Sequence, residues 1–217
     1  MTNILYKPFK IDFKVTKFKD ETWSYIAPTW EEMGELYLNL GAEILESDLK
    51  FDCLITLAKG GWTWSRTMAD ILNIDEIHSF KLSLYDDVEP GKILSKPRLE
   101  LPLTVALDKK RILFFDDVDD TGQSLIWSLK YLDFYNVKSV KTATLFHKPH
   151  SKFVPDFYGF ETPSWIIFPH ERREGIVGLA KKWLNNGMTA REARLRLKKI
   201  GLPEKEIDLF FKVENLR

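Results

Sequence analysis

The stretch Ile112–Leu125 constrains the fold of this chain more than any other part of the sequence. It reads ILFFDDVDDTGQSL: four apolar residues, two aspartates, a short polar turn and then the start of a helical pattern. Four consecutive apolar residues predict a strand buried on both faces, as in a parallel sheet. A helix that follows at once presents unpaired backbone N–H groups and the positive end of its dipole, which together suit a phosphate. The ordinary alternative is a strand–helix connection with a capping aspartate.

A second stretch has the same order of elements. The apolar residues Phe51–Leu57 predict another strand, and Ala58, Lys59, Gly60 and Gly61 separate it from a helical pattern. Two glycines directly after a parallel strand allow backbone conformations that bring N–H groups close to a ligand. A pair of glycines in such a turn is common, so this motif is not specific by itself.

Composition limits the classes of function. Of the 217 residues, 44% are apolar and 29% are charged, and Lys+Arg and Asp+Glu balance at 32 each, so no net charge attracts the chain to nucleic acid or to an anionic membrane. The single cysteine, Cys53, lies in an apolar run and is predicted to be buried, which fits a reducing compartment. No apolar stretch approaches the roughly 20 residues needed to span a bilayer, and the N-terminus lacks the layout of a signal peptide. We expect a cytoplasmic protein.

The repeated order of strand and helix predicts the fold class. Apolar strand patterns at Phe51–Leu57, Ile77–Leu84, Ile112–Phe115 and Ser139–Phe146 alternate with helical patterns. This alternation is typical of an α/β protein, and we expect a mostly parallel sheet of about five strands flanked by helices. Ligands of such sheets bind at the carboxyl ends of the strands, where both motifs described above are placed.

The N-terminal segment carries two further patterns. Apolar residues at every second position from Phe9 to Val15 predict an edge strand or an extended arm. Thr29 followed three residues later by Glu32 forms a capping box, which predicts the start of a helix.

The chain from Arg172 onward predicts three helices, the second of which begins with a capping box of Thr189 and Glu192. Basic residues on this second helix raise the alternative of a DNA-binding helix-turn-helix. Nearby acidic residues dilute that charge and favour a packed helical part. We therefore divide the chain into a main domain, residues 1–171, and a C-terminal helical extension, residues 172–217.

The stretch around Asp116 and Asp117 closely resembles the phosphoribosyl pyrophosphate (PRPP) fingerprint of type I phosphoribosyltransferases. That fingerprint consists of an apolar strand, two acids, two further residues, Thr-Gly, one more residue and a Ser or Thr. The resemblance implies that Asp116 and Asp117 contact the ribose hydroxyl groups of PRPP. It also implies a loop around the 5-phosphate, with Gln123 acting through its backbone; this loop would consist of Asp119, Thr121, Gly122, Gln123 and Ser124.

The glycine motif fits the same resemblance. Lys59, Gly60 and Gly61 match the pyrophosphate loop of the family. The resemblance further implies Mg²⁺ bound together with PRPP, Asp117 as a contact to the metal, and a mobile lid in the polar stretch that follows Tyr85.

Residues further along the chain are similar to the base-binding end of purine phosphoribosyltransferases of the 6-oxopurine group. The similarity implies that Lys148 meets the substituent at purine C6 and that Trp165 stacks on the base. Ile166 would offer backbone contacts, and Glu171 would complete the pocket. Asp120 matches the catalytic acid that these enzymes place beside purine N7, where it manages a proton.

Two lines of resemblance disagree on the base. Asp120, Lys148 and Trp165 indicate hypoxanthine, guanine or xanthine, because typical adenine enzymes carry Ala at the position of Asp120. The helical C-terminal part instead resembles that of the crenarchaeal adenine phosphoribosyltransferases. We therefore expect a salvage enzyme that converts PRPP and adenine to the nucleoside monophosphate AMP and pyrophosphate. A 6-oxopurine enzyme is the first alternative, and a transcription regulator that senses PRPP or nucleotides is the second. The resemblance also implies a homodimer.

Overall fold

The computed structural model describes residues 6–85 and 93–216, and the chain forms two compact units. The first consists of Met1–Phe9 and Glu35–Thr162, and the second consists of Lys10–Gly34 and Pro163–Arg217. The elements follow in the order β1 (Thr16–Lys17), β2 (Ser24–Ile26), α1 (Trp30–Glu46), β3 (Cys53–Leu57), α2 (Trp62–Ile71), β4 (Ile77–Tyr85), β5 (Ile93–Leu101), β6 (Arg111–Asp119), α3 (Gln123–Leu132), β7 (Ser139–His147), β8 (Phe157–Glu161), β9 (Trp165–Ile166), α4 (Arg172–Asn185), α5 (Ala190–Ile200) and α6 (Glu204–Val213), with a 3-10 turn at Asp133–Tyr135.

A six-stranded sheet forms the centre of the first unit, in the order β5-β4-β3-β6-β7-β8. Its neighbouring strands run parallel, apart from β4 and β5, which pair antiparallel at one edge. The sheet confirms the predicted α/β class and has one strand more than the five expected. Strand β5 lies in the polar stretch predicted to form the lid, and residues 86–92 of that stretch lie outside the described residues.

Strand β6 lies in the middle of this sheet, and its apolar residues Ile112–Phe115 are fully buried. This is the burial expected for a central strand of a parallel sheet. Thr56 of β3 lies opposite Phe115 of β6 in the parallel register. The turn that follows Leu57 and the acids that follow Phe115 therefore leave the sheet side by side, at its carboxyl edge.

The predicted helix starts are confirmed. The Glu32 N–H donates to Thr29 Oγ1 at 3.1 Å and the Thr29 N–H donates to Glu32 Oε2 at 2.7 Å, which caps α1. Thr189 and Glu192 form the same pair of bonds at the start of α5.

Cys53 is buried as predicted. No helix in the described part of the chain combines the length and the apolar character that a membrane crossing requires.

The second unit contains a small sheet in the order β1-β2-β9, in which β1 pairs antiparallel and β9 pairs parallel with β2. Strand pairing begins at Thr16, so residues 9–15 form no strand, contrary to the first of the two alternatives predicted for them. Helices α4, α5 and α6 share one buried core with this sheet, which includes Phe18, Tyr25, Ile167, Ile176, Ala180, Trp183, Leu197, Ile207 and Phe211.

This division of the chain differs from the boundary predicted after residue 171. Lys10–Gly34 supplies Phe18 and Tyr25 to the core around the C-terminal helices. The Trp183 indole N–H and the Lys182 ammonium both donate to Glu21 of the same N-terminal segment. The three helices are therefore one folded body with residues that lie far away in the sequence.

Candidate active site

Asp116 and Asp117 lie at the carboxyl end of β6 and are buried. The Asp117 N–H donates to Asp116 Oδ1 at 3.1 Å, and the Val118 N–H donates to Asp117 Oδ1 at 2.8 Å. Burial raises the pKa of both carboxyl groups, and the neighbouring charge of Asp117 raises the pKa of Asp116 further. A ligand that offers hydroxyl groups or a cation to this pair would relieve the cost of keeping two carboxylates close together.

The glycine turn contacts the acid pair directly. A Cβ atom added to Gly60 would lie 2.8 Å from both carboxylate oxygens of Asp117. A Cβ atom on Gly61 would lie 1.9 Å from Thr56 Oγ1 and 3.2 Å from Asp116 Oδ1. A side chain at position 60 would collide with the Asp117 carboxylate and one at position 61 with the Thr56 hydroxyl, so either substitution would require these groups to move. The structure brings together the two motifs that the sequence placed after separate strands.

These two motifs line one cavity of about 260 Å³ within the first unit. The lining includes Ala58 and Gly60 from the turn and Asp116, Asp117, Asp119, Asp120, Thr121, Gly122 and Ser124 from the fingerprint stretch. The cavity lining does not include the predicted binding residues Lys59, Gly61 and Gln123. The Lys59 side chain is exposed, and the peptide bond between Ala58 and Lys59 is cis.

Helix α3 begins at this cavity. Its N-cap residue, Gly122, has a φ angle of 78°, in the left-handed region that favours glycine. A Cβ atom at Gly122 would also lie 2.8 Å from the Phe153 backbone nitrogen and 2.9 Å from Ser151 Oγ. Because Gly122 has no side chain to cap the helix, the N–H groups of the first turn are available to an anion.

Asp119 ties the same loop to the neighbouring strand β7. Its Oδ2 atom lies 2.8 Å from His147 Nδ1, and its backbone carbonyl accepts the Lys148 N–H at 2.9 Å. Burial raises the pKa of Asp119, while hydrogen bonds from Ser151 and His147 act in the opposite direction. Sequence reasoning did not identify His147 as a partner of the loop, although its position at the polar end of an apolar strand was a usable signal.

Asp120 and Lys148, two residues predicted to act on the base, also belong to the first unit. The Asp120 side chain is exposed, and its Oδ1 atom lies 3.2 Å from Nε2 of His150, a partner that the sequence did not indicate. Lys148 is buried, and burial lowers the pKa of its ammonium group to about 8, while the charge of Asp120 acts in the opposite direction.

The other predicted base-binding residues belong to the second unit. Trp165 and Ile166 form β9, and Glu171 is the N-cap residue of α4. All three line one pocket of about 350 Å³ within that unit. The structure therefore brings Trp165, Ile166 and Glu171 together.

The acid pair has the chemistry of a magnesium site. Mg²⁺ prefers oxygen ligands, and it commonly binds through one or two carboxylates together with phosphates of the substrate. Asp116 and Asp117 supply such oxygens beside the cavity, and a cation there would offset the burial that raises their pKa values. The residues present thus fit the predicted ion.

Comparisons with known proteins identify the family of the chain. The family model "Phosphoribosyl transferase domain" matches residues 31–172. The fold and the site define a type I phosphoribosyltransferase, and the chain belongs to this family. Within the family it is related to the enzymes of the 6-oxopurine group, as the resemblance at Asp120, Lys148 and Trp165 implied.

Three similar proteins illustrate this relationship. The hypoxanthine-guanine phosphoribosyltransferase of Bacillus subtilis is 29% identical over 147 residues, which is 63% of this chain and 78% of that protein. The Cricetulus griseus enzyme of the same name is 42% identical, but only over 64 residues, 28% of this chain and 29% of that enzyme. The crystal structure of a purine phosphoribosyltransferase from Pyrococcus horikoshii is 30% identical with a TM-score of 0.59, and the match covers 68% of this chain and 93% of that one.

Proposed function

We propose that this protein transfers the 5-phosphoribosyl group of PRPP to a nitrogen atom of a purine base and releases pyrophosphate. The observation that carries this proposal is the shared cavity of the acid pair and the glycine turn. Carboxylates accept hydrogen bonds from the ribose hydroxyl groups, and the start of α3 binds the 5-phosphate. The ribose hydroxyl groups and the 5-phosphate of PRPP can therefore both bind in this cavity.

The reaction breaks the bond between ribose C1 and the pyrophosphate oxygen, which leaves an oxocarbenium-like ribose and a highly charged leaving group. Asp116 and Asp117 hold the ribose and stabilise its developing positive charge. Backbone N–H groups of the turn around Gly60 and the exposed Lys59 ammonium would neutralise the departing pyrophosphate. Mg²⁺ bound with PRPP would supply further neutralisation of that leaving group, with Asp117 as its contact on the protein.

Asp120 acts on the base. A carboxylate beside purine N7 accepts or returns a proton while the new bond to ribose forms. Asp120 is exposed and joins the lining of the cavity, so its carboxyl group is accessible to a base bound there.

Adenine is the base that we propose, with AMP as the product. The support is the C-terminal part, which resembles that of the crenarchaeal adenine enzymes and consists of the three helices that the sequence predicts. These helices continue beyond residue 172, where the match to the family model ends.

A 6-oxopurine is the second candidate, and a specific observation favours it. Lys148 is buried in the first unit, and a protonated lysine donates hydrogen bonds but accepts none. A carbonyl at purine C6 complements such a donor, whereas the amino group of adenine does not. The names of the Bacillus and Cricetulus relatives also favour hypoxanthine and guanine for this chain.

A coupled assay for pyrophosphate with PRPP, Mg²⁺ and one base at a time tests the function and the base together. We expect turnover with adenine above that with hypoxanthine, guanine and xanthine, and at least a hundredfold loss in an Asp116→Asn, Asp117→Asn double variant. Highest turnover with hypoxanthine or guanine would select the second candidate. An absence of pyrophosphate with every base, together with salt-dependent DNA binding, would instead support the regulator and contradict the proposal.

The oligomeric state can be measured on the same protein preparation. We propose a cytoplasmic homodimer, as family membership implies, and light scattering behind a sizing column measures its mass directly.

A further inference from the structure

Three side chains of types that bind metal ions lie together at the amino ends of β3 and β4, in the first unit. Cys53 is the first residue of β3, Glu76 directly precedes β4, and His78 is the second residue of β4. The Cys53 sulfur, one carboxylate oxygen of Glu76 and one ring nitrogen of His78 all lie within 4.8 Å of one another. The function proposed above uses none of these three side chains, which we call the Cys-Glu-His cluster.

Strand pairing explains why these side chains meet. Strand β3 pairs with β4 in parallel, with Ile55 opposite His78. Because side chains alternate between the two faces of a sheet, Cys53 and Ile55 of β3 share a face with His78 and Phe80 of β4. Cys53, Ile55 and Phe80 do belong to one buried cluster. The polar residues of the Cys-Glu-His cluster thus lie at the amino end of an apolar face.

The sulfur is the buried ligand of the cluster, and the other two ligands reach solvent. Cys53 is 0% exposed, whereas the side chains of Glu76 and His78 keep 35% and 24% of their surface exposed. Burial raises the pKa of the Cys53 thiol to about 12, so the free thiol is protonated at neutral pH. An ion can therefore enter beside Glu76 and His78 and meet the sulfur at the inner end.

Lys110 already supplies a positive charge to this cluster. Its ammonium donates to Glu76 Oε1 at 2.6 Å, and the same oxygen lies 2.7 Å from His78 Nε2. Hydrogen bonds from Lys110 and His78 lower the pKa of Glu76, so its carboxylate is charged and ready to bind a cation. The Lys110 side chain is 28% exposed, which allows it to release Glu76 and turn to water.

The ligand types select the ion. Thiolate and imidazole together favour Zn²⁺, whereas Mg²⁺ prefers oxygen ligands alone. Zinc binds cysteine sulfur at about 2.3 Å and histidine nitrogen at about 2.0–2.1 Å, most often with four ligands in a tetrahedron. These bond lengths place neighbouring ligand atoms about 3.5 Å apart, so rotations of the half-buried Glu76 and His78 side chains suffice to form the site. Water supplies the fourth ligand.

We infer that Cys53, Glu76 and His78 bind one Zn²⁺ ion in exchange for the Lys110 ammonium. Zinc forms bonds to the sulfur, to a carboxylate oxygen and to Nε2 of the neutral imidazole, while the thiol S–H bond breaks and its proton passes to solvent. The five residues of β3 separate this site from the glycine turn by about 15 Å. The inference therefore goes beyond the proposed function and does not depend on it.

Titration with Co²⁺, a spectroscopic substitute for Zn²⁺, tests the site in the unmodified protein. Thiolate bound to Co²⁺ gives a charge-transfer band, and Cys53 is the single cysteine of the chain. We expect this band to reach its maximum at one Co²⁺ per chain and to disappear when Zn²⁺ is added. Cobalt at the acid pair would meet oxygen ligands and give no such band. Protein that develops no thiolate band at saturating Co²⁺ overturns the inference.

Two variants separate a metal site from a network of ion pairs. His78→Gln should weaken Co²⁺ binding at least about tenfold because it removes a ligand, and Lys110→Met should strengthen binding about tenfold because it removes the competing ammonium. His150→Gln is the matched control, since His150 also lies beside a carboxylate, 3.2 Å from Asp120, but outside the cluster. Unchanged binding in His78→Gln, or weaker binding in Lys110→Met, would contradict the site.

Thermal unfolding gives a second readout that needs no chromophore. An ion that binds the folded state raises Tm. We expect Zn²⁺ to raise the Tm of the unmodified protein and to leave that of Cys53→Ser unchanged. An equal rise in both proteins would mean that the stabilising ion binds elsewhere and would count against the Cys-Glu-His cluster.

Discussion

The buried carboxyl groups of Asp116 and Asp117 tie the stability of the folded protein to pH. Their folded pKa values are raised above the unfolded ones, so the folded state binds more protons in the range between the two. The free energy of unfolding contributed by this pair is therefore fully present at low pH and falls as pH rises through the folded pKa values. The pair therefore destabilises the folded protein at neutral pH, where the proposed ligand-binding role requires charged carboxylates.

Replacing one acid should reverse this cost. We expect Asp116→Asn to raise the free energy of unfolding at pH 7 by about 1–2 kcal/mol, and by much less at pH 4. Urea denaturation at the two pH values measures the difference. If Asp116→Asn raises the free energy of unfolding equally at pH 4 and pH 7, the charged acid pair does not destabilise the folded protein.

Asp52 provides a control for that experiment, because its pKa is shifted in the opposite direction. The guanidinium and backbone N–H of Arg111 hold the pKa of Asp52 well below its ordinary value. Its contribution to stability is therefore present above the unfolded pKa and is lost as pH falls. Asp52→Asn should lower the free energy of unfolding at pH 7.

Lys148 predicts a base preference that changes with pH. Burial lowers its pKa to about 8, so the protonated fraction falls about tenfold between pH 7 and pH 9. If the ammonium donates to a purine carbonyl, the ratio of kcat/KM for hypoxanthine to that for adenine should fall by about the same factor. Steady-state kinetics with both bases measures the ratio. Lys148→Met should make this ratio of kcat/KM values independent of pH. If the ratio is already independent of pH in the unmodified protein, Lys148 does not recognise the substituent at purine C6.

Asp120 should matter for turnover more than for PRPP binding. An amide cannot accept the proton, so we expect Asp120→Asn to lower kcat by about 10²–10⁴-fold while KM for PRPP changes little. His150→Ala is the control for the neighbouring side chain and should have a much smaller effect. Unchanged turnover in Asp120→Asn would exclude the general-base role.

At the scale of elements, the turn between β3 and α2 has the strictest steric requirement. The Cβ atom of an alanine at position 61 would lie 1.9 Å from Thr56 Oγ1. We expect Gly61→Ala to weaken PRPP binding at least tenfold, because the turn must move away from the acid pair. Thr56→Ala removes the colliding oxygen and should partly restore binding in the double variant.

Gly34 provides the comparison for this substitution. A Cβ atom added there meets nothing within 4 Å, and the residue lies inside α1. Gly34→Ala should therefore stabilise the protein by up to about 1 kcal/mol and leave PRPP binding unchanged. Equal effects of both alanine substitutions on binding would contradict the steric explanation.

The single elements were also the most predictable part of the structure. The capping boxes at Thr29 and Thr189 and the apolar run Ile112–Phe115 each predicted the element that forms. These signals are local, since a cap or an apolar run involves residues only a few positions apart. The alternation from Phe9 to Val15 failed as a strand signal, because a strand also needs a partner and pairing begins only at Thr16.

For the whole molecule, the C-terminal helices and residues 10–34 depend on each other. Phe18 and Tyr25 share the core of α4–α6, with ring centroids 6.0 Å and 6.4 Å from that of Trp183. Removing residues 172–217 would expose this apolar surface to water. The helices therefore cannot be removed as an independent appendage.

A truncated protein that ends at residue 171 tests this dependence. We expect it to bind the dye ANS and to lose the cooperative unfolding of the second unit, because its core lacks Trp183 and the helices around it. Circular dichroism and dye fluorescence on heating measure both effects. A truncated protein that unfolds cooperatively without binding the dye would support the boundary predicted after residue 171.

The sequence by itself determined the fold class and indicated the residues of the candidate phosphate site. The acids, the glycine turns and the strand patterns are contiguous, so the resemblance of these stretches to the family fingerprint indicated a type I phosphoribosyltransferase, and the family match confirms it. The sequence of a single segment does not show with which residues of another strand it will pair. Only the tertiary structure placed Gly60 against Asp117, joined His147 to Asp119 and packed residues 10–34 with the last helices. These contacts join residues far apart in the chain. They form when segments pack to bury apolar surface, and a local sequence pattern does not show which distant segment will be the packing partner.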